Sequence, residues 1–461
     1  MSGGASTEGA RTPSIRERLS ELTGGGDRSL LARGAAIVFV VSVGGMGVGY
    51  LSRILLARWM GLTEFGIYSW VMATASLVVI PGVLGWPRAV IRFVPEFSAH
   101  EQWGRVRGVI RSSSWMAFAG SSAVCGLGTL VLLATDAPER WIYGPAMLVG
   151  IWMVPLLALT KLHAALARSV QRIALAQVPV GLLQPLLVLG LVALFYAWRG
   201  DLDSTDVIVC TIVALLLVFV LQRALFVRGL PETVRSARAE YDIRGWMRVS
   251  IPLSLIGVFT TILNSIDLVM LGSLAGPESA GIYSAAVRTS HVIGLFLTAV
   301  NMVAAPLYAS LHARSEHARL QQLVHTTVHW AFWPSLAAGI VVVALGEPIL
   351  GLFGPEFTRA HGPLAILVAG SLVSTSLGSV LILMAATGHH DVSARVLGWS
   401  ALLNVALNAL LIPPFGIMGA AVATAITSVI WKTWLERLAR SRLGIRTSLV
   451  SALTAGRRSQ P

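Results

Sequence analysis

GLTEFGIYS (residues 61–69) and AGPESAGIYS (residues 275–284) are one turn written twice: each closes an apolar run, passes a glycine and a single acidic residue, and opens another apolar run. The shared GIYS starts at Gly66 and again at Gly281, a displacement of 215 residues. Working outward, stretches near the ~20 apolar residues that cross a bilayer occupy 34–58, 66–91, 112–134, 143–164, 173–197 and 207–226. A polar, arginine-bearing segment at 227–248 interrupts them, and six more follow at 249–272, 281–310, 323–345, 363–385, 396–412 and 415–435. The two turns thus fall at the same topological position of two six-span halves. An even number of spans gives both halves one orientation, which relates them by an axis along the membrane normal with a cavity between them. The expected fold is all-α: a polytopic membrane protein of about twelve transmembrane helices, in two six-helix repeats of the same orientation that form a V.

Composition agrees. The 461 residues are 55% hydrophobic and only 12% charged, where a soluble chain carries roughly 25% charged residues, and twelve spans leave no room for a large soluble catalytic domain. The division read from the sequence is a flexible cytoplasmic leader (1–33), an N-terminal six-helix lobe (34–226), a cytoplasmic linker (227–248), a C-terminal six-helix lobe (249–435) and a basic cytoplasmic tail (436–461). The leader mixes Gly, Ser, Arg and Glu without the apolar core and cleavage site of a signal peptide. Cys125 and Cys210 both lie in apolar runs, which gives no disulfide framework. The net charge of +13 is mostly topological. Of 35 Lys and Arg residues, 25 fall on the leader's side of the spans, three (Arg140, Arg199, Arg359) on the other, and seven within or at the ends of spans. The positive-inside rule then places both termini in the cytoplasm of a multi-pass plasma (inner) membrane protein. Nucleic acid is an unnecessary explanation for the basic excess.

The ionisable groups kept at membrane depth are the functional candidates, because burying each costs several kcal/mol unless it meets a partner or a wet cavity. Between residues 31 and 200 every acid (Glu64, Glu96, Glu101, Asp136, Glu139) lies in a turn, and in the second half only Asp267 falls well inside a span. Against that carboxylate stand Arg53, Arg58, Arg88 and Arg288. A cavity with that balance attracts anions, and a guanidinium fork suits pyrophosphate oxygens better than a lysine point charge. Arg53, Arg88, Arg288 and His291 are therefore the candidate substrate-binding residues, with Asp267 and Arg58 as a gate or an ion pair. Each has a plainer reading: Arg58 snorkelling beside Trp59, Arg88 snorkelling with Arg92, Asp267 paired with Arg53 or Arg288, and His291 as a hydrogen-bonded core histidine. His325 with His329, and His389 with His390, lack nearby carboxylates or thiolates, so no metal site, cofactor or catalytic constellation is expected.

Both GIYS turns, RFVPEFSAHEQWGRVRGVIRSS (92–113), NSIDLVMLG (264–272) and above all GHHDVSARVLGWSALLNVALNALLIPPFGIMGAAVATAITSVI (388–430) together resemble the polysaccharide-biosynthesis flippases. These are the Wzx-type lipid-linked oligosaccharide transporters of the multidrug/oligosaccharidyl-lipid/polysaccharide exporter superfamily. The resemblance implies a carrier that moves an isoprenoid-pyrophosphate-linked sugar from the cytoplasmic to the outer leaflet, through a cationic cavity lined largely by spans 1, 2, 7 and 8, by rocking about the linker. Expected partners are the lipid-linked oligosaccharide, membrane lipids, and a polysaccharide polymerase or glycosyltransferases, with the chain acting as a monomer. Two other functions compete. A cation-coupled multidrug exporter should keep carboxylates in the first half of the membrane domain, and none is there. A membrane enzyme of polysaccharide polymerisation or ligation needs catalytic groups on a sizeable outer loop, and the longest outer connection, GEPILGLFGPEFTRAHG (346–362), is short and apolar.

Overall fold

The computed structural model describes residues 25–83 and 85–452, with side chains from residue 43 onward. Its main helices are α1 (Gly25–Val83), α2 (Trp86–Ala99), α3 (Trp103–Ala134), α4 (Gly144–Gly150), α5 (Met153–Ser169), α6 (Ile173–Arg199), α7 (Ser204–Arg228), α8 (Ile243–Ala313), α9 (His317–Ala344), α10 (Pro355–Ser376), α11 (Val380–Ala386) and α12 (His390–Leu443). Three of them, α1, α8 and α12, turn back on themselves at Gly61, Gly276 and Gly416. Two pairs, α4 with α5 and α10 with α11, each make one span bent by about 40°. With the three folded helices crossing twice and each bent pair once, the described residues cross twelve times. Their outer faces are apolar: α6 is among the most apolar helices, yet only 17% of its most apolar window is buried. Water would not tolerate that surface, whereas lipid does.

The duplication is visible in the backbone. Gly61 has φ 77° and ψ 176°, and Gly276 has φ 84° and ψ 171°, a conformation open essentially to glycine alone. They lie 215 residues apart, as the two GIYS segments do. Just beyond each, the two halves touch. A Cβ on Gly66 would collide with the Pro277 carbonyl, and one on Gly281 would come within 2.9 Å of the Leu62 carbonyl oxygen. Thr63, at the position equivalent to Glu278, donates to its Oε1 at 3.4 Å. Aromatic side chains extend this contact: Tyr50 packs edge-on to Phe353 at 5.6 Å, Phe65 packs edge-on to Phe357 at 5.8 Å, and Trp70 Nε1 donates to the Val269 carbonyl at 2.9 Å.

At the opposite end lie the start of α1, the linker and the first part of the tail. Residues 25–33, assigned to a flexible leader, are helical; Leu30, Leu31 and Ala32 are strong helix formers. The rest of that leader, 1–24, lies outside the described residues. The 227–248 linker is docked: Glu240 N donates to the Gly104 carbonyl at 3.0 Å, against a glycine where any side chain would strike the chain. The first part of the 436–461 tail also packs down. Helix α12 continues to Leu443, then Arg446 exchanges two hydrogen bonds with Gln321, at 2.7 and 2.8 Å, and Thr447 donates to the Leu377 carbonyl at 2.8 Å. Residues 453–461 of that tail lie outside the described residues.

Candidate substrate cavity

The glycine run GGMGVG (44–49) on the first leg of α1 decides where a hollow can form. A side chain at Gly45 would collide with the Gly181 backbone, so α1 lies hard against α6 there. At Gly47 and Gly49 nothing stands within 4 Å of a Cβ, and both line a cavity of about 540 Å³ between α1, α6, α7 and the second leg of α8. That volume is in the range of small-molecule sites, ~300–1,000 Å³.

Arg53, Arg288 and His291 line this cavity together with Tyr50, Ser52, Tyr68, Gln184 and Thr211, and no Asp or Glu is among the lining residues. Neither arginine makes a hydrogen bond or ion pair with any described residue. Their charges act on each other and on His291, and Asp267, outside the lining, acts on Arg288. Arg288 and His291 are exposed, although Ala286, Thr289 and Ser290 beside them on α8 are buried. Two guanidinium groups without an ion pair, Arg288 exposed and Arg53 half-buried, in a space whose lining holds no acid, form an anion-attracting site. Tyr50 bridges the halves by a 2.9 Å hydroxyl contact with Thr289 Oγ1. Tyr50 and Tyr68 were not singled out from sequence. Tyr68 sits in the GIYS turn, and recurrence of that turn was the signal available.

A second groove, of about 310 Å³, shares Val43, Gly45, Met46, Gly181 and Leu295 with the cavity and continues from it along α8 through Thr298, Ala299 and Met302, away from the Gly276 turn. Only Gln177 and Thr298 bring polar side chains to it. The composite hollow is therefore cationic at one end and apolar at the other.

The remaining sequence candidates lie elsewhere. Arg88 is exposed on α2, reaching towards Gly257 of α8, and is not among the residues lining the cavity. Before it one helix ends at Val83 and the next begins at Trp86, with Gly85 left-handed at φ 77° and a Cβ there 2.9 Å from the Ser250 carbonyl oxygen. Arg58 is exposed, and its Nε donates to the Leu352 carbonyl at 2.6 Å, tying span 1 to the connection before α10. Asp267 is buried and is not the ion-pair partner of Arg53 or Arg288. Its Oδ2 accepts from Tyr283 Oη at 2.8 Å and Thr424 Oγ1 at 3.1 Å, and its Oδ1 from the Leu268 amide at 2.8 Å. Three donors do for the carboxylate what a cation was expected to do. The six ion pairs among the described residues all lie outside the cavity.

Against known families, the description "Polysaccharide biosynthesis protein" matches residues 31–312, well over half the chain. The chain belongs to that family. A second description, MatE, matches residues 252–410. Among curated relatives, the probable low-salt glycan biosynthesis flippase Agl15 of Haloferax volcanii is 23% identical over 403 residues, covering 86% of this chain and 81% of its own. Among solved structures, the lipid II flippase MurJ in an inward closed conformation superimposes with a TM-score of 0.67 at 13% identity, over 88% of this chain and 87% of that one. An inward-facing multidrug resistance MATE family transporter of the MOP superfamily gives 0.66 at 12% identity, over 89% and 100%. These likenesses establish the two-lobed twelve-helix architecture of this family member, a multi-pass membrane protein.

Proposed function

We propose that this protein is a flippase that moves an anionic isoprenoid-(pyro)phosphate-linked oligosaccharide from the cytoplasmic to the outer leaflet of the plasma membrane, by alternating access, for surface polysaccharide assembly. The observation that carries this reading is the cavity in which Arg53 and Arg288 stand unpaired with no acid in the lining. Pyrophosphate oxygens satisfy both forks. The sugar meets Tyr50, Tyr68, Gln184 and His291, and the contiguous apolar groove receives the start of the lipid chain. The names of Agl15 and MurJ support the same substrate class.

The arginine bias puts the linker and both termini in the cytoplasm. At that end, Arg88 meets the phosphate before the cavity does. Arg58, through its tie to the Leu352 carbonyl, belongs to the outer closure, while Asp267 holds the two legs of α8 together through Tyr283. The chain works as a monomeric carrier without a catalytic group of its own, and passes its cargo to polymerases or glycosyltransferases.

The deciding experiment reconstitutes the purified protein in liposomes with a fluorescent polyisoprenyl-pyrophosphate-linked sugar in one set and a cationic dye in another. The lipid should change leaflets and the dye should not. Arg288→Ala should slow lipid movement about 10–100-fold, the equivalent of a charge-assisted hydrogen bond of ~1.5–3 kcal/mol. Dye transport without lipid movement would move the protein to the multidrug exporters.

A further inference from the structure

A larger basic hollow lies on the outside of the N-terminal half, apart from the candidate substrate cavity. It measures about 1,090 Å³ and is walled by the start of α3, the end of α7 and the linker. Arg107, Arg111, Arg223 and Arg235 line it, without an acid among its lining residues. Two of these guanidinium groups are held by the backbone: Arg107 Nη1 donates to the Ala237 carbonyl at 2.6 Å, and Arg235 Nη2 donates to the Val227 carbonyl. The other two, Arg111 and Arg223, are exposed and make no hydrogen bond or ion pair with a described residue.

Below the arginines the wall turns apolar in order of depth. On α3, Trp115 follows Arg111 by one turn and Phe118 by two, ~6 Å and ~10 Å along the helix at 1.5 Å per residue. On α7, Phe219 precedes Arg223 by one turn. All three aromatic residues line the hollow, and Trp115 is 67% exposed. A guanidinium layer, then an indole, then a phenyl ring is the polarity profile of a phospholipid read from phosphate to acyl chain. Topology alone explains why arginines sit at the ends of spans. It does not explain why four converge on one concavity that excludes acids while two are already fixed in place by carbonyls.

We propose that this hollow binds an anionic glycerophospholipid of the leaflet on the linker side, its phosphodiester on Arg111 and Arg223 and an acyl chain against Trp115 and Phe118. Because Arg107 holds linker backbone at Ala237 and Arg235, on the linker, holds the end of α7 at Val227, the bound lipid fastens the linker to the N-terminal half. The proposal does not depend on the transported substrate.

The test is native mass spectrometry of the delipidated full-length protein titrated with phosphatidylglycerol or phosphatidylcholine. The wild type should retain one phosphatidylglycerol with about tenfold preference over phosphatidylcholine. The Arg111→Gln/Arg223→Gln double variant should lose that preference, Trp115→Ala should reduce retention of both lipids several-fold, and Arg359→Gln, on the opposite side of the membrane, should behave as wild type. Millimolar inorganic phosphate should not displace the lipid. Absence of any preference in the wild type overturns the proposal regardless of how the variants fold. So does unchanged preference in the double variant, and displacement by phosphate reassigns the hollow to a soluble anion. A protein that failed to flip the polyisoprenyl lipid could still pass this test, so the two readings fail separately.

Discussion

Tyr68 and Tyr283 stand at the same place in the two halves and both are buried, yet Tyr68 lines the hollow that holds Arg53 and Arg288, while Tyr283 has its hydroxyl on Asp267. The residue equivalent to Asp267 is Ser52, which also lines the cavity and returns its hydroxyl to its own helix, on the Val48 carbonyl at 2.8 Å. Duplication has therefore kept the backbone device, a glycine turn followed by a close interhelical contact, and redistributed the charge. The carboxylate is sealed into the C-terminal half beside Tyr283 and Thr424, where it forms no ion pair with the arginines. On the cavity side, the matching position is a small hydroxyl. A carrier for an anion needs that asymmetry, because a carboxylate facing two guanidinium groups would occupy them before a phosphate could.

The shared element is the one whose loss should matter most. Gly66→Val puts a branched side chain where even a Cβ collides with the Pro277 carbonyl, and overpacking at a contact between two backbones should cost about 3 kcal/mol or more. Thermal unfolding followed by size-exclusion chromatography should show a large loss of folded protein. Gly190→Val, which meets nothing within 4 Å, should behave nearly as wild type; equal damage from both would mean that the contact between the repeats is incidental.

Ser52→Asp tests the divergent element by restoring to the cavity the acid present at the equivalent position. Lipid-linked sugar transport should fall by about 10–100-fold as the carboxylate captures Arg53, the scale of one charge-assisted hydrogen bond. The melting temperature should change little, since the new acid gains a partner. Transport at the wild-type rate in proteoliposomes would remove the argument that an acid-free lining matters.

Much of this was readable without coordinates because the governing costs are steep. An apolar run of twenty residues has few alternatives in water, and a guanidinium at membrane depth needs a wet space, which is how Arg53, Arg288 and His291 could be singled out and are found on one hollow. Other features turn on contacts that no local pattern encodes. Asp267 meets a donor from position 424, 157 residues away, across the Gly416 turn, so an ion pair with a cavity arginine looked equally reasonable. Tyr50 and Tyr68 resemble any aromatic residues of an apolar helix until the glycines around them open a cavity. For Arg88 and Arg58, position along a helix does not say which face a side chain takes, and they point to α2–α8 packing and to the Leu352 carbonyl.

Smaller effects sharpen the contrast between the tyrosines. Tyr283→Phe removes a donor from a buried carboxylate and should destabilise the protein by about 1–2 kcal/mol, seen as a lower melting temperature. Tyr68→Phe removes a hydroxyl from the cavity wall and should leave stability within about 0.5 kcal/mol, while lowering transport several-fold if that hydroxyl meets the sugar. The separation, stability in one half and transport in the other, is the informative result. Equal losses of stability from both would show that the halves use their tyrosines alike.

Arg58→Ala should have the smallest effect of these changes. Its 2.6 Å bond to the Leu352 carbonyl is exposed, and exposed polar contacts contribute about 0.2–1 kcal/mol. It is also one of several ties across the closed end, beside the Tyr50, Phe65, Phe353 and Phe357 rings. Its removal should leave lipid transport within about twofold of wild type and raise the labelling of a cysteine placed at Thr358 by a membrane-impermeant reagent only slightly. A loss comparable to that of Arg288→Ala would mean that the closed end is held by one cation instead of by packed rings, and that the cationic path reaches beyond the cavity to the outer surface.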